Sequence, residues 1–392
     1  MRIAVVAESF LPHMNGVTNS VIRVLRHLRS QGHDVLVIAP AQSWSGPLLD
    51  AESTPEEVEG FPVVKLPALP LNGYPNVRVA AGTVSRVRRI LAGFSPDVVH
   101  VASPFVLGWR AIQAAQQLGL PTISIYQTEI PAYAGRYGLP WLEDVLWSHV
   151  KLMHDSSTVN LVPSSYSMRQ LRDLGIRRVH YWRRGVDQEQ FNPSRRSEEF
   201  RAKAAPNGEK LIGFVGRLAA EKQVADLAVL DDLPGTRLVI VGSGPLKDEL
   251  RAKLPNAYFA GFLGGNDLGE AVASFDLFVH PGEAETFCQT IQEAMSARVP
   301  VVAVGRGGPL DLVDSSRTGW LYKPGDLEDL RSRVQDLIYD DVKREAFAVA
   351  AHESVAGRTW EAICDQLIAH YERAIQVKSR HLHTEALSWM GR

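Results

Sequence analysis

Cysteine is nearly missing from this chain. Two occur in 392 residues, Cys288 and Cys364, far apart in sequence. That is too few for a disulfide framework, and no metal-ligand spacing accompanies them, so a reducing cytoplasm is the expected setting. Long hydrophobic runs are missing too: none approaches the ~18 apolar residues of a membrane span. The apolar start, Met1 to Ala7, is closed by Glu8 and is too short for a secretory signal. A strong charge of one sign is also absent. The net charge is −2, with 45% hydrophobic and 22% charged residues, which excludes a disordered chain and argues against a nucleic-acid partner. The first 180 positions are slightly basic and the remainder slightly acidic. There is no short repeat, no low-complexity tract and no full dinucleotide fingerprint. In 241-VGSGPL-246, Lys247 stands where the third glycine would fall, so nicotinamide binding is disfavoured.

What is present is alternation. Short apolar runs at Ile3–Ala7, Val35–Ala39, Val63–Leu66, Val98–Ala102, Thr122–Tyr126 and Val159–Pro163 are separated by helical patterns such as Val17, Val21, Val24, Leu25 and Leu28. Unbroken buried runs between amphipathic helices predict a parallel sheet covered on both faces. A polar stretch follows, from Ser194 to Lys210. The pattern then restarts at Leu211–Val215, Arg237–Val241, Ala257–Phe262, Leu277–His280 and Val299–Val304, with helices from Asp326 to about Val377. The fold class expected is α/β, two doubly wound domains in tandem. Their boundaries are read as 1–185 and 186–360, with a helix 361–376 packing back on the first domain and a tail, 377–392. Open sheets of this kind bind ligands at the carboxyl ends of their strands, so a site is expected in the cleft between the domains.

Candidate site residues cluster at such strand ends. In 283-EAETFCQTIQEAMSARVPVVA-303, Glu285 and Glu293 stand eight residues apart. On one helix that is about 12 Å at 1.5 Å per residue. A pair of glycosidase carboxylates stands about 5–9.5 Å apart, so these two do not act jointly on one bond. They suit two parts of an elongated ligand; a helix with an acidic first turn and one solvated glutamate has the same spacing. Backbone amides near Phe287, Cys288 and Gln289 would be free for an anion such as a diphosphate. In 213-GFVGRLAAEKQV-224, Arg217 and Lys222 supply the fork and the point charge that a diphosphate requires, although solvated loop cations look alike. In 9-SFLPHMNGVTNSV-21, Asn15 and Gly16 mark a strand-to-helix junction where backbone approaches a phosphate closely, or a plain turn and cap. His100, in 97-DVVHVASP-104, reads as a structural strand-end histidine.

As a set, these features resemble the retaining family 4 glycosyltransferases of the GT-B fold, which pairs two Rossmann-like domains. The resemblance rests on Arg217, Lys222, the pair Glu285 and Glu293, the loop at Gly16 and the linker 184-RGVDQEQFNP-193, and covers about residues 1–376. The stretches 6-VAESFLPHMNGVTNSV-21, 125-IYQTEIPAYAGRYG-138 and 280-HPGEAETFCQTIQEA-294 resemble the actinobacterial GDP-mannose-dependent α-mannosyltransferases, which act on lipid-linked glucuronic acid or phosphoinositide-type acceptors. The resemblance implies that Glu293 accepts from the ribose hydroxyls. Glu285, with the amides of Phe287 and Cys288, would hold hydroxyls of the transferred sugar, and Thr286 and Gln289 would also bind substrate. Arg217 and Lys222 would neutralise the diphosphate, with Asn15, Gly16 and Gly242 also lining the donor site. No cofactor and no metal are implied, and no Asp-x-Asp stands at a strand end of the expected site. The donor is expected to be GDP-mannose; a UDP-sugar donor and a non-catalytic nucleotide-sugar-binding protein are the alternatives.

One departure stands out. Gln127 occupies the place of a histidine usual in that family. It hydrogen-bonds but does not titrate near neutrality, so positioning is the role left to it. Glu129 is read as an acceptor-binding group, a base, or a polar loop residue. In 82-GTVSRVRRILAGF-94, Arg86, Arg88 and Arg89 lie off the apolar side, and Arg23, Arg26 and Arg29 punctuate the first helix. A basic amphipathic face suits the anionic inner leaflet of the plasma membrane, with a lipid-linked acceptor, as well as it suits solvent.

Overall fold

The computed structural model describes residues 1–12, 14–41, 54–71, 74–80, 82–102, 105–128 and 143–390. Two parallel sheets organise it. The first has the strand order Val179–Tyr181, Val159–Val162, Thr122–Ile125, Val98–Val101, Arg2–Val6, Asp34–Pro40, Phe61–Leu66, Glu57–Val58. Only the last pair is antiparallel. The second runs Tyr258–Gly261, Thr236–Val241, Lys210–Val215, Leu277–His280, Val301–Val304, Gly319–Tyr322, parallel throughout. A separate hairpin pairs Ala68–Leu71 with Tyr74–Ala80.

Alternation along each strand explains why both faces are covered. Ile3, Val5 and Ala7 enter one core while Ala4 and Val6 enter another. In the second sheet Leu211 and Val215 face one core, and Ile212 and Phe214 the other. A period of two on a strand buried on both sides leaves no polar face.

The strand order places the cleft. In each sheet the chain reverses direction beside the first strand: Arg2–Val6 lies between Asp34–Pro40 and Val98–Val101, and Lys210–Val215 between Thr236–Val241 and Leu277–His280. Loops leaving such neighbouring strands in opposite directions open a crevice at their carboxyl ends.

The chain passes to the second domain beside its own return. Val186 bridges to Thr359, and the Val186 amide donates to the Arg358 carbonyl at 2.8 Å. Gly185 is required there: a Cβ would lie 2.5 Å from the Trp360 Cα. The helix Trp360–Met390 then packs on the first domain. Trp360, Ile363, Leu367, Tyr371 and Ala374 recur at helical spacing and enter the core of Ile3 and Val5. His27 meets Asp365 at 2.8 Å, and the Trp182 indole donates to the Ile363 carbonyl at 2.9 Å.

Several sequence expectations are corrected. The tail from Lys378 is helix as far as Met390. The apolar spacing fades there, yet no glycine or proline stops the helix before Gly391. The polar stretch after Asn192 holds the helix Glu198–Ala204. The strands Glu57–Val58 and Gly319–Tyr322, both at sheet edges, were not expected: two and four residues are too short to show a period.

The basic membrane face is also revised. Arg23 pairs with Asp187 at 2.8 Å, Arg26 with Glu59 at 2.7 Å, and Arg29 donates to the Glu59 carbonyl at 2.9 Å. Those three charges are engaged within the protein. Arg86, Arg88 and Arg89 are exposed on the helix Val84–Phe94. Its apolar side, with Val87 and Leu91, is buried in the core, leaving no greasy face for a bilayer.

Candidate functional site

The two strands flanking the reversal in the second sheet deliver its charged groups. After Lys210–Val215 the chain makes a short 3₁₀ turn, Ala220–Lys222. After Leu277–His280 it runs through Glu285 to the helix Gln289–Ser296. The Lys222 ammonium donates to Oε1 of Glu285. His280 reaches the same oxygen at 3.1 Å, and its ring stacks on Phe214 with centroids 6.0 Å apart.

Burial and charge set the protonation of this group. Burial works against ionising Glu285, but Lys222 and His280 outweigh it and bring the carboxyl down to about 2. Burial also disfavours a charged His280, yet Cys288 and Glu285 lift it to about 9. Glu285 and His280 are therefore both ionised at neutral pH. The ring nitrogen, carboxylate oxygen and thiol of His280, Glu285 and Cys288 lie within 4.8 Å of one another, a potential metal-donor set that sequence spacing did not reveal. The ammonium already neutralises its carboxylate.

The other cation is disposed differently. Arg217 is half exposed, and its closest carboxylate is Glu221 at 3.9 Å. Lys222 is committed to a neighbour, whereas the Arg217 fork keeps its freedom to turn toward a ligand.

Glu285 stands four residues before the helix, near its N-terminus as expected, and the alternative of an acidic first turn does not hold. Cys288 caps the helix with φ of 73° and carries no side-chain capping bond. A non-glycine residue in that region is uncommon and marks a constrained turn. Among the described residues, the amides of Phe287, Cys288, Gln289 and Thr290 donate to no protein group. Free amides at a helix start are donors that an anion can use.

Glu293 is only 8% exposed, so the solvated-glutamate reading is excluded. Burial raises its carboxyl to about 7, against the pull of Gln289 and then of Arg23. A carboxyl poised there is half ionised near neutrality and gains from hydroxyl donors.

The first domain meets this loop directly. The Thr286 hydroxyl donates to the Gln127 backbone carbonyl at 2.9 Å, so Thr286 ties the domains together through its side chain. The Gln127 amide donates to the Ala102 carbonyl and accepts from Arg184. The Gln289 side chain donates to the Gly185 carbonyl at 2.9 Å, bracing the crossing. Across the crevice mouth, Asp311 accepts from the Ser165 amide at 2.6 Å.

Asn15 caps the helix Gly16–Ser30, accepting from the Val17 and Thr18 amides at 2.9 and 3.0 Å. Gly16 opens that helix with no atom within 4 Å of an added Cβ, which leaves open space beside its backbone. Gly242, with φ of 141°, sits where a Cβ would lie 1.9 Å from the Gly216 carbonyl. It lets two strand-end loops pack, which is reason enough for a glycine there. Glu129 lies outside the described residues. His100 is buried with Nδ1 2.6 Å from the Tyr371 hydroxyl; burial, then Arg184, drives it down to about 3. It stays neutral and structural. Sequence reasoning missed His280, Arg184 and Asp311. His280 was visible only as a strand-end residue, and Arg184 as part of the linker.

The sequence matches two family models, "Glycosyltransferase Family 4" over residues 14–190 and "Glycosyl transferases group 1" over residues 195–354. It is similar to the GDP-mannose-dependent alpha-mannosyltransferase of Corynebacterium glutamicum, 44% identical over 97% of this chain and 91% of that protein. A protein of the same description from Mycolicibacterium smegmatis is 45% identical over 97% and 99%. Among solved structures, the sucrose-phosphate synthase of Thermosynechococcus elongatus superposes with a TM-score of 0.79 at 19% identity. That match covers 95% of this chain and 98% of the other.

Proposed function

We propose a specific reaction on a premise the relatives supply: the chain belongs to the family 4 glycosyltransferases and has their two-domain GT-B fold. It transfers mannose from GDP-mannose, with retention of configuration, to a glycolipid of the glucuronosyl diacylglycerol or phosphoinositide type. The observation carrying this reading is the anion seat at the reversal of the second sheet. Lys222 pairs with Glu285, the amides of Phe287 to Thr290 that follow have no acceptor among the described residues, and Arg217 lies on the same loop as Lys222.

In this scheme the diphosphate lies on the amides of Phe287 to Thr290, between Lys222 and Arg217. Glu293 takes the ribose hydroxyls. Glu285, already ionised, accepts from hydroxyls of the sugar. The bond between the sugar C1 and the phosphate oxygen breaks. The leaving phosphate takes the proton of the acceptor hydroxyl, which bonds to C1 on the same face. Charge grows on the leaving oxygens, so fixed cations and amides lower the barrier. They supply what a divalent ion would supply, and turnover is expected to be unchanged by EDTA.

The acceptor enters from the first domain, past Gln127 and Glu129, with Asn15 and Gly16 at the donor's other edge. Arg86, Arg88 and Arg89 bring the enzyme to an anionic leaflet through charge alone, worth about 1 kcal/mol for each arginine near the surface. No helix among the described residues is long and apolar enough to cross a membrane.

A thermal-shift panel with GDP, UDP, ADP and NAD tests the donor. A ligand at 100 times its dissociation constant stabilises by about 2.7 kcal/mol. GDP alone is expected to give that shift. A larger shift with UDP would replace mannose from GDP with a UDP-sugar donor.

A further inference from the structure

The donor seat leaves one buried charge unused. Arg184 follows the last strand of the first sheet and is 7% exposed. Its guanidinium donates to Oε1 of Gln127 and lies 5.7 Å from the centre of the Trp182 ring. No carboxylate among the described residues pairs with it, although the molecule is rich in arginine–carboxylate pairs elsewhere. A guanidinium carries five donors, and one is engaged here. Burial lowers its pKa to about 10, so it keeps its charge at neutral pH.

A buried cation without a counter-charge is costly, and folds retain one where a ligand completes it. The surroundings say where that ligand lies. The Gln127 carbonyl is bonded to Thr286, next to Glu285, and the Arg184 carbonyl accepts from Gln292 at 2.9 Å. Arg184 therefore stands at the seam where the first domain faces the sugar end of the donor seat. The identity of Gln127 fits this arrangement. Its amide oxygen orients a guanidinium, whereas a protonated histidine in the same place would repel it.

We propose that Arg184, held by Gln127, binds an oxyanion of a substrate within the crevice and selects for an anionic group there. The donor diphosphate already has Lys222, Arg217 and the helix amides, so the anion assigned to Arg184 is a carboxylate or phosphate on the acceptor headgroup. This assignment rests on the transfer reaction proposed above.

The test compares wild type with Arg184→Met and Arg184→Lys. Thermal unfolding comes first: removing an unmatched charge leaves the melting temperature of Arg184→Met at or above the wild-type value. A clear drop would mean that Arg184 is a structural pair member and would overturn the proposal. Sodium D-glucuronate, inorganic phosphate and neutral glucose are then titrated calorimetrically, with and without GDP. Glucuronate or phosphate is expected to bind wild type, at least tenfold weaker to Arg184→Met and in between to Arg184→Lys, with glucose indifferent to all three. If GDP affinity alone falls tenfold in Arg184→Met, the oxyanion is the donor's. If neither the anions nor GDP distinguish the proteins, Arg184 binds no oxyanion and the idea is wrong. Failure of GDP to bind wild type would sink the donor reading, while the titrations without GDP still decide the role of Arg184.

Discussion

The two walls of the crevice treat buried charge in opposite ways. On the second-domain side, the Glu285 carboxylate is paired twice, with Lys222 and with His280, within hydrogen-bonding distance. On the first-domain side, among the described residues, the Arg184 guanidinium has the Gln127 amide oxygen as its only polar partner. Burial raises the Glu8 carboxyl to about 8 despite the Leu107 amide. The lesson is about pre-organisation. One wall is assembled before substrate arrives and is ready to stabilise charge that appears during reaction. The other holds a guanidinium with donors left over for a ligand.

Substituting the cations tests this contrast most strongly. Lys222→Ala and Arg217→Ala are each expected to lower kcat by roughly 10²–10³. Their stabilities should diverge. Loss of Lys222 strips a buried carboxylate of its counter-charge and lowers Tm, whereas half-exposed Arg217 leaves Tm nearly unchanged. Steady-state kinetics beside thermal unfolding reads both. Equal kinetics to wild type in either variant would remove that residue from the site.

How far was this legible beforehand? The core strands were, because Ile3–Ala7 or Leu211–Val215 cannot be anything else between amphipathic helices. Arg217, Lys222, Glu285 and Glu293 were legible as types at strand ends. The partnership of Lys222 with Glu285 was not, because 63 positions separate them and only the parallel pairing of Lys210–Val215 with Leu277–His280 brings them together. Arg184 was hidden for the same reason. Its isolation is a property of what does not surround it.

A smaller effect concerns Glu293. Its carboxyl titrates near 7 in the free protein, and ribose hydroxyls favour the ionised form, so its bound pKa must be lower. GDP affinity is then expected to be constant above about pH 7 and to fall as pH drops below it. In Glu293→Gln the dependence should shrink to that of the GDP terminal phosphate, which titrates at about 6, and affinity be weaker throughout. Calorimetry from pH 5.5 to 8.5, as an experimental range, resolves the two curves; a parallel slope in the variant would assign the titration elsewhere.

The seam between the walls should yield less. Thr286→Val removes a single bond to Gln127, and Asp311→Ala the contact to Ser165. A hydrogen bond contributes about 0.5–1.5 kcal/mol net, so KM should rise severalfold while kcat changes little. A large fall in kcat would mean that closure itself limits the reaction. Smallest of all, charge reversal at Arg86, Arg88 and Arg89 should abolish flotation with anionic liposomes at low salt and leave turnover of a soluble acceptor intact. Salt-independent flotation would contradict docking by charge.

The most direct measurement is an experimental structure with GDP-mannose bound. The expected result is a diphosphate on the amides of Phe287 to Thr290, within hydrogen-bonding distance of both Lys222 and Arg217. A diphosphate bound away from that helix, or with Lys222 still locked on Glu285 and out of its reach, would contradict the reading of this crevice as a pre-formed donor seat.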